Sequence, residues 1–230
     1  MKKISLYLFL LAMPCVVFAQ DCVKMYDYYH QGVLLEYTHY DKKGKIELIN
    51  TQKVTSVDQH ADTLVATFAL TSVDEKGKEM YQNTFPMKCH EGTVYLDMRA
   101  LAPPQQNNGQ SADMQIEVNG TDIVFPPGMK PGQSLPDAEM SMKMSLGGLQ
   151  LMNTKYFIKN RKVEAEESVT TSAGTYKCLK ISYDFEYKLM GTRLIHTLYW
   201  YSPAVGMVKS VTFDKKGNED GRIELTKFVK

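Results

Sequence analysis

The 230-residue sequence lacks the features that define several large functional classes. Its 27 basic and 26 acidic residues nearly cancel, so no field attracts nucleic acid or an anionic membrane surface. It has no G-x-S-x-G nucleophile elbow and no glycine-rich phosphate loop. Its five histidines are scattered singly, without the spacing of a zinc site. We therefore predict a protein that is not an enzyme, uses no cofactor and binds no nucleic acid.

Long hydrophobic runs are also missing, except for one short run near the N-terminus. Lys2 and Lys3 precede an apolar run at residues 4–11, which is too short to span a bilayer. Small residues ending at Ala19 suit a signal peptidase, so residues 1–19 are predicted to be a cleaved signal peptide. We expect an exported protein of the periplasm or outer envelope, not a transmembrane protein. Lipidation at Cys15 is the less favoured alternative, because Met13 and Pro14 are poor residues before a lipidated cysteine.

Cysteine is scarce, and three cysteines remain after the predicted cleavage: Cys22, Cys89 and Cys178. An exported protein meets oxidising conditions, so one disulfide is expected and one thiol is left over. We favour a Cys22–Cys89 disulfide, which would tie down the N-terminus, with Cys178 a small buried apolar residue. The alternative, a nucleophilic Cys89 beside His90, lacks an orienting partner.

Apolar residues alternate with polar residues along most of the chain, which is the pattern of half-buried strands. Residues 174–228 form four such runs separated by turn signals, which predicts an antiparallel meander. The turn sequence D-x-K-G recurs at residues 41–44, 74–77 and 214–217, and Gly147-Gly148 is a further hairpin signal. We predict an all-β fold of about twelve strands with at most one or two short helices.

Four prolines, at positions 126, 127, 131 and 136, predict an extended connector. We expect residues 20–230 to form a single all-β domain, with two halves of the sheet joined near residues 119–138.

Two patterns supply candidate ligand-lining residues. Met140, Met142 and Met144 alternate along a strand, so their thioethers share one face. Three interpretations remain open for this stripe: core packing, an adaptable apolar groove, or a Cu(I) site. Tyr199 and Tyr201 flank Trp200, which the alternation places in the core, so the two tyrosines are free to face a groove.

The sequence also resembles the TapB-like family of exported Bacteroidota proteins, which is described as a domain of unknown function. The resemblance is carried by residues 21–22, 35–37, 40–45, 88–89, 160–165, 173–175, 178–183 and 200–210, in the same order. It implies an all-β envelope protein whose large antiparallel, meander-rich sheet curls into an open barrel or half-barrel, similar to the lipoprotein carriers. It implies no catalytic residues.

From these observations we predict a non-enzymatic envelope protein that binds an extended apolar ligand, a lipid or acyl chain, or a partner polypeptide. Met140, Met142, Met144, Tyr199 and Tyr201 are the candidate lining residues. The alternative is a hydrolase that acts on a cell-surface polymer through paired carboxylates. A weaker alternative is a Cu(I)-handling protein that uses the methionine stripe.

Overall fold

The computed structural model describes residues 20–98, 114–188 and 191–230, and shows one antiparallel sheet of 13 strands with one short helix. The predicted signal peptide and Cys15 lie outside the described residues. Helix α1 spans Gln20–Met25, and the strands are β1 Leu34–Asp41, β2 Ile46–His60, β3 Thr63–Asp74, β4 Glu79–His90, β5 Thr93–Asp97, β6 Met114–Gly120, β7 Asp122–Phe125, β8 Ala138–Leu146, β9 Leu149–Thr171, β10 Gly174–Lys188, β11 Thr192–Ser202, β12 Gly206–Phe213 and β13 Glu219–Val229.

The three D-x-K-G sequences form the predicted hairpin turns. In the β1–β2 turn, one carboxylate oxygen of Asp41 accepts the backbone N–H groups of Lys43 and Lys45, both at 2.8 Å. These hydrogen bonds, with that from Lys45 the stronger, lower the pKa of Asp41. Gly44 follows with a φ of 79°, which only glycine adopts without strain. Asp74 and Asp214 accept the corresponding N–H groups in the β3–β4 and β12–β13 turns.

The sheet curls into a barrel because its two edge strands are consecutive in the chain. The strand order is β6-β8-β9-β10-β11-β12-β13-β1-β2-β3-β4-β5-β7, and only Thr121 separates β6 from β7. One nearly continuous segment therefore pairs first with β8 and then with β5. The Thr121 N–H donates to the Glu139 carbonyl at 2.9 Å, and its own carbonyl accepts from the Met98 N–H at 3.3 Å. The all-β prediction and the open barrel are confirmed: the barrel is nearly closed, with one unsealed seam beside β7.

One end of the barrel is covered by residues 22–29, which we call the N-terminal cap. A disulfide joins Cys22 to Cys89 on β4, the two cysteines that the sequence analysis paired, while Cys178 is free and buried. The Tyr26 hydroxyl donates to the Gly92 carbonyl at 2.5 Å, and the Tyr29 hydroxyl donates to the Lys88 carbonyl at 3.0 Å. The cap is thus fixed to the β4–β5 hairpin by covalent and polar contacts.

The proline-containing connector before β8 runs antiparallel to β9 and forms hydrogen bonds with it, as β8 does further along. The Leu135 N–H donates to the Arg161 carbonyl at 2.9 Å, and the Val163 N–H donates to the Gln133 carbonyl at 2.8 Å. Strands from both sides of this connector belong to the same sheet. Within the described residues, no helix has the length and apolarity needed to cross a membrane.

Candidate functional site: a cavity inside the barrel

The barrel encloses a cavity of about 1400 Å³ that is partly open to solvent. Protein interiors contain few voids larger than a water molecule, so a space of this size is not a packing defect. The cavity volume is also larger than that of ordinary small-molecule pockets, which is about 300–1,000 Å³. The side chains of this sheet therefore line a space that they do not fill.

The wall of the cavity is mainly apolar. Phe125 on β7 crosses the interior and stacks on Tyr199 and Tyr201 of β11, with ring centroids 5.9 and 4.9 Å apart. Within the described residues, neither Asp nor Glu lines the cavity. Further apolar lining residues come from strands all around the barrel, among them Leu35, Phe68, Leu70, Phe85, Val94, Leu96, Ile123, Ile158, Ile181 and Ile223.

Four of the five predicted lining residues face this cavity: Met142, Met144, Tyr199 and Tyr201. Met140 does not line it. It is buried where β8 runs close to Gly120 of β6, since a Cβ built on Gly120 would lie 3.4 Å from the Met140 Cβ. The methionine stripe therefore divides, with its last two members in the cavity wall and its first in the packed edge of the barrel.

Trp200 is buried, as the alternation indicates, but on the opposite side of β11 from Tyr199. Its indole N–H donates to a Glu167 carboxylate oxygen at 2.5 Å. The ammonium groups of Lys180 and Lys209 lie 5.5 and 6.0 Å from its ring centroid. Trp200 therefore anchors the outside of the sheet and is not part of the cavity wall.

The most distinctive lining residue, Arg161, is not among the lining residues predicted from the sequence. A β-bulge in β9 turns it inward: Asn160 has a φ of 55°, and the pairing with β10 shifts between Ser182 and Asp184. Ile158 and Arg161 both line the cavity, although simple alternation would put them on opposite faces. An extra residue in the strand thus places a cation inside an apolar barrel.

Polar contacts on the outer face hold this bulge. The Asn160 amide donates to one Asp184 carboxylate oxygen at 2.8 Å, and the other oxygen lies 3.0 Å from Nδ1 of His196. Although burial raises the pKa of Asp184, the hydrogen bonds from Asn160 and His196 outweigh it and lower that pKa. His196 is therefore an outer-face partner of a structural carboxylate.

Inside the barrel, Arg161 is only 3% exposed. Its Nη1 donates to the carbonyls of Val124 on β7 at 3.0 Å and of Pro136 in the connector at 2.8 Å, which bridges the seam. The Phe125 ring lies 5.0 Å from its Cζ. Burial lowers the pKa of the guanidinium to about 10, so it remains protonated at neutral pH.

The cavity also has a polar but uncharged region on β1 and β2. The Asn50 side-chain nitrogen lies 2.9 Å from Nε2 of His39, and the Ser72 hydroxyl donates to the Asn50 side-chain oxygen. Burial lowers the pKa of His39, which favours the neutral imidazole. Across residues 20–98, 114–188 and 191–230, no group of three or more His, Cys, Asp or Glu side chains could hold a metal ion.

Comparisons with known proteins agree with this architecture. The model of the DUF3108-like family matches residues 30–225. An exported protein of Bacteroides fragilis described as having a YmcC-like fold superposes with a TM-score of 0.71 at 21% identity, covering 87% of this chain and 97% of that chain. A lipoprotein of Parabacteroides distasonis superposes with a TM-score of 0.70, also at 21% identity, covering 89% and 99%. No curated protein sequence matches the chain.

Proposed function

This chain belongs to the DUF3108-like family, and we propose that it is an exported, non-enzymatic binding protein whose barrel takes up an extended apolar ligand, a lipid or acyl chain. The observation that carries this proposal is the unfilled, mainly apolar cavity of about 1400 Å³. A mainly apolar wall favours an apolar guest, because the guest gains the packing contacts that an unfilled wall lacks and its burial removes apolar surface from water.

Exposed apolar side chains support one end of the barrel as the entrance. Six of the eight large apolar side chains that are exposed in the described residues lie near the end that carries the β1–β2, β3–β4 and β8–β9 turns: Ile46, Met80, Leu146, Leu149, Leu151 and Leu194. The lining residues Met144, Met152 and Tyr81 approach the same end. The opposite end is covered by the N-terminal cap. An apolar ligand would therefore enter over an apolar rim.

The N-terminal pattern and the descriptions of two relatives support an exported location. Residues 1–19 have the basic start, apolar run and small residues of a signal peptide. Of the two structural neighbours named above, one is described as an exported protein and the other as a lipoprotein. We place this protein in the periplasm or outer envelope.

The alternatives have less support. A hydrolase would need paired carboxylates at the ligand, and in the described part of the chain none lines the cavity. A partner polypeptide would need a free strand edge for pairing. Among the described strands only β6 and β7 lack a second neighbour, so only these two strands offer such an edge. A Cu(I) site would need converging thioethers, and Met140 is buried at the edge of the barrel and does not line the cavity with Met142 and Met144.

Binding of a neutral apolar fluorophore, N-phenyl-1-naphthylamine, to lipid-free protein tests the proposal. Met144 and Met152 pair across β8 and β9, line the cavity and are only partly buried, so glutamine is tolerated at both positions. We expect the Met144→Gln/Met152→Gln variant to bind about tenfold more weakly, because the amides need hydrogen bonds that an apolar ligand lacks.

Val229→Gln is the control, since Val229 is an apolar side chain that is 43% exposed, is not one of the rim residues and does not line the cavity. It should leave the affinity unchanged. Equal weakening by both variants, or no binding to the wild-type protein, would contradict the proposal.

A further inference from the structure

The guanidinium of Arg161 has donors that the protein does not use. An arginine side chain carries five N–H groups, two of them on each terminal nitrogen. The two on Nη1 are taken by the carbonyls of Val124 and Pro136. Within the described residues, no acceptor takes the N–H groups of Nε and Nη2. Because Arg161 lines the cavity, this second edge of the fork is available to a molecule inside it.

The charge of Arg161 also lacks a counter-ion in the described part of the structure. Asp137 acts on it electrostatically, but Asp137 is exposed and makes no ion pair with it. Burying a cation is unfavourable unless an anion and further hydrogen bonds compensate the lost hydration. Two carbonyl dipoles satisfy one nitrogen but do not neutralise the charge, so the site favours an anion.

The shape of the free edge selects among anions. The Nε–Nη2 edge presents two parallel N–H groups, which match the two oxygens of a carboxylate in a bidentate pair. Tyr183 and Tyr199 also line the cavity, and both lie close enough to Arg161 to raise its pKa. Burial raises the pKa of both phenols, so both remain neutral. The Tyr183 hydroxyl already forms hydrogen bonds with Thr197 and Ser210, and the Tyr199 hydroxyl can donate a hydrogen bond to an oxyanion. The described residues that line the cavity around Arg161 thus offer donors for an oxyanion, and Asp137, the carboxylate that acts on Arg161, is exposed and does not line the cavity.

We propose that the ligand is a long-chain carboxylic acid, whose carboxylate pairs with the Nε–Nη2 edge of Arg161 while its acyl chain lies along the apolar cavity towards Met144 and Met152. This inference rests on the proposed function and adds the chemical class of the head group. Bridging the seam explains the contacts of Nη1. It does not explain an unused fork edge turned into an apolar space.

The test compares oleic acid, oleyl alcohol and oleyl phosphate binding to lipid-free protein. We expect the wild-type protein to prefer the acid over the alcohol by tenfold or more, since hydrogen bonds to charged groups are roughly twice as strong as neutral ones. Arg161→Gln should remove this preference by weakening the acid about tenfold while changing the alcohol less than threefold. Arg161→Lys keeps the charge without the fork and should retain part of the preference.

A purely structural role for Arg161 would weaken acid and alcohol equally, and that result would overturn the inference. Equal affinity of the wild-type protein for acid and alcohol would overturn it while leaving the proposed function intact. Failure of all three ligands to bind would overturn both. Preference for the phosphate over the acid would overturn the assignment of a carboxylate.

A second measurement needs no variant. In ¹³C NMR of oleic acid labelled at the carboxyl carbon, the bound carboxylate should stay ionised to lower pH than the free acid in detergent, because the guanidinium favours its charged form. Titration at the same pH as the free acid would place the head group away from Arg161 and contradict the inference.

Discussion

Replacing Cys22 and Cys89 together by alanine is expected to lower the free energy of unfolding by about 4 kcal/mol. The disulfide closes a loop with a sequence separation of 67 residues, so it removes much of the conformational freedom of the unfolded chain. The disulfide also holds the N-terminal cap against β4. Tyr28 of this cap lines the cavity, and the Tyr28 hydroxyl lies 3.2 Å from the Tyr201 hydroxyl. Urea unfolding of the lipid-free protein measures the change.

A reducing agent provides the control for this prediction. Reduction should bring the wild-type unfolding midpoint down to that of the double variant and should not affect the variant itself. Since Cys178 is present in both proteins, it cannot cause the difference. An unchanged midpoint in the double variant would show that the cap is held by its tyrosine contacts alone.

Leu225→Ala is expected to lower the free energy of unfolding by about 3 kcal/mol, within the range for buried leucines. Leu225 on β13 is fully buried and does not line the cavity, so truncation leaves a new void in a packed region. Leu96→Ala on β5 makes the same chemical change in the cavity wall, where Leu96 already faces unfilled space. It should cost only about 1 kcal/mol, because fewer packing contacts are lost.

Ligand affinity should respond in the opposite order. Leu96→Ala should weaken binding of the apolar fluorophore about threefold by removing apolar contact area, and Leu225→Ala should not change it in the folded protein. Chemical unfolding and fluorescence titration of the two variants check both parts. A similar stability loss in both, with no effect on binding, would mean that the wall around Leu96 is an ordinary packed core.

Much of the fold follows from local patterns. The alternation of Leu64, Ala66, Phe68 and Leu70 predicts the buried face of β3, and all four side chains are buried. The D-x-K-G turns occur where the sequence places them, because Asp41 and its counterparts bind the backbone of their own turn. Alternation also puts Tyr199 and Tyr201 on one face and Trp200 on the other, as the structure shows.

Three features could not be predicted from the local alternation of apolar and polar residues. Strand β7 has four residues between Thr121 and two prolines, and it is a strand because β5 offers an edge for it. Arg161 faces inward only because the bulge at Asn160 changes the alternation, and asparagine within a strand pattern was the available signal, since it tolerates positive φ. Whether an apolar face is core or cavity wall depends on the width of the barrel, which is set by the number and tilt of all 13 strands together.

Native mass spectrometry of the full-length protein, purified without detergent from cells that export it, tests most directly whether the barrel is a ligand site. The cavity predicts a bound species of lipid size that survives gentle ionisation and is removed by organic extraction. The extracted protein should then regain the same mass increment when oleic acid is added. A protein that carries no such species, and gains none with excess oleic acid, would contradict a ligand-binding barrel.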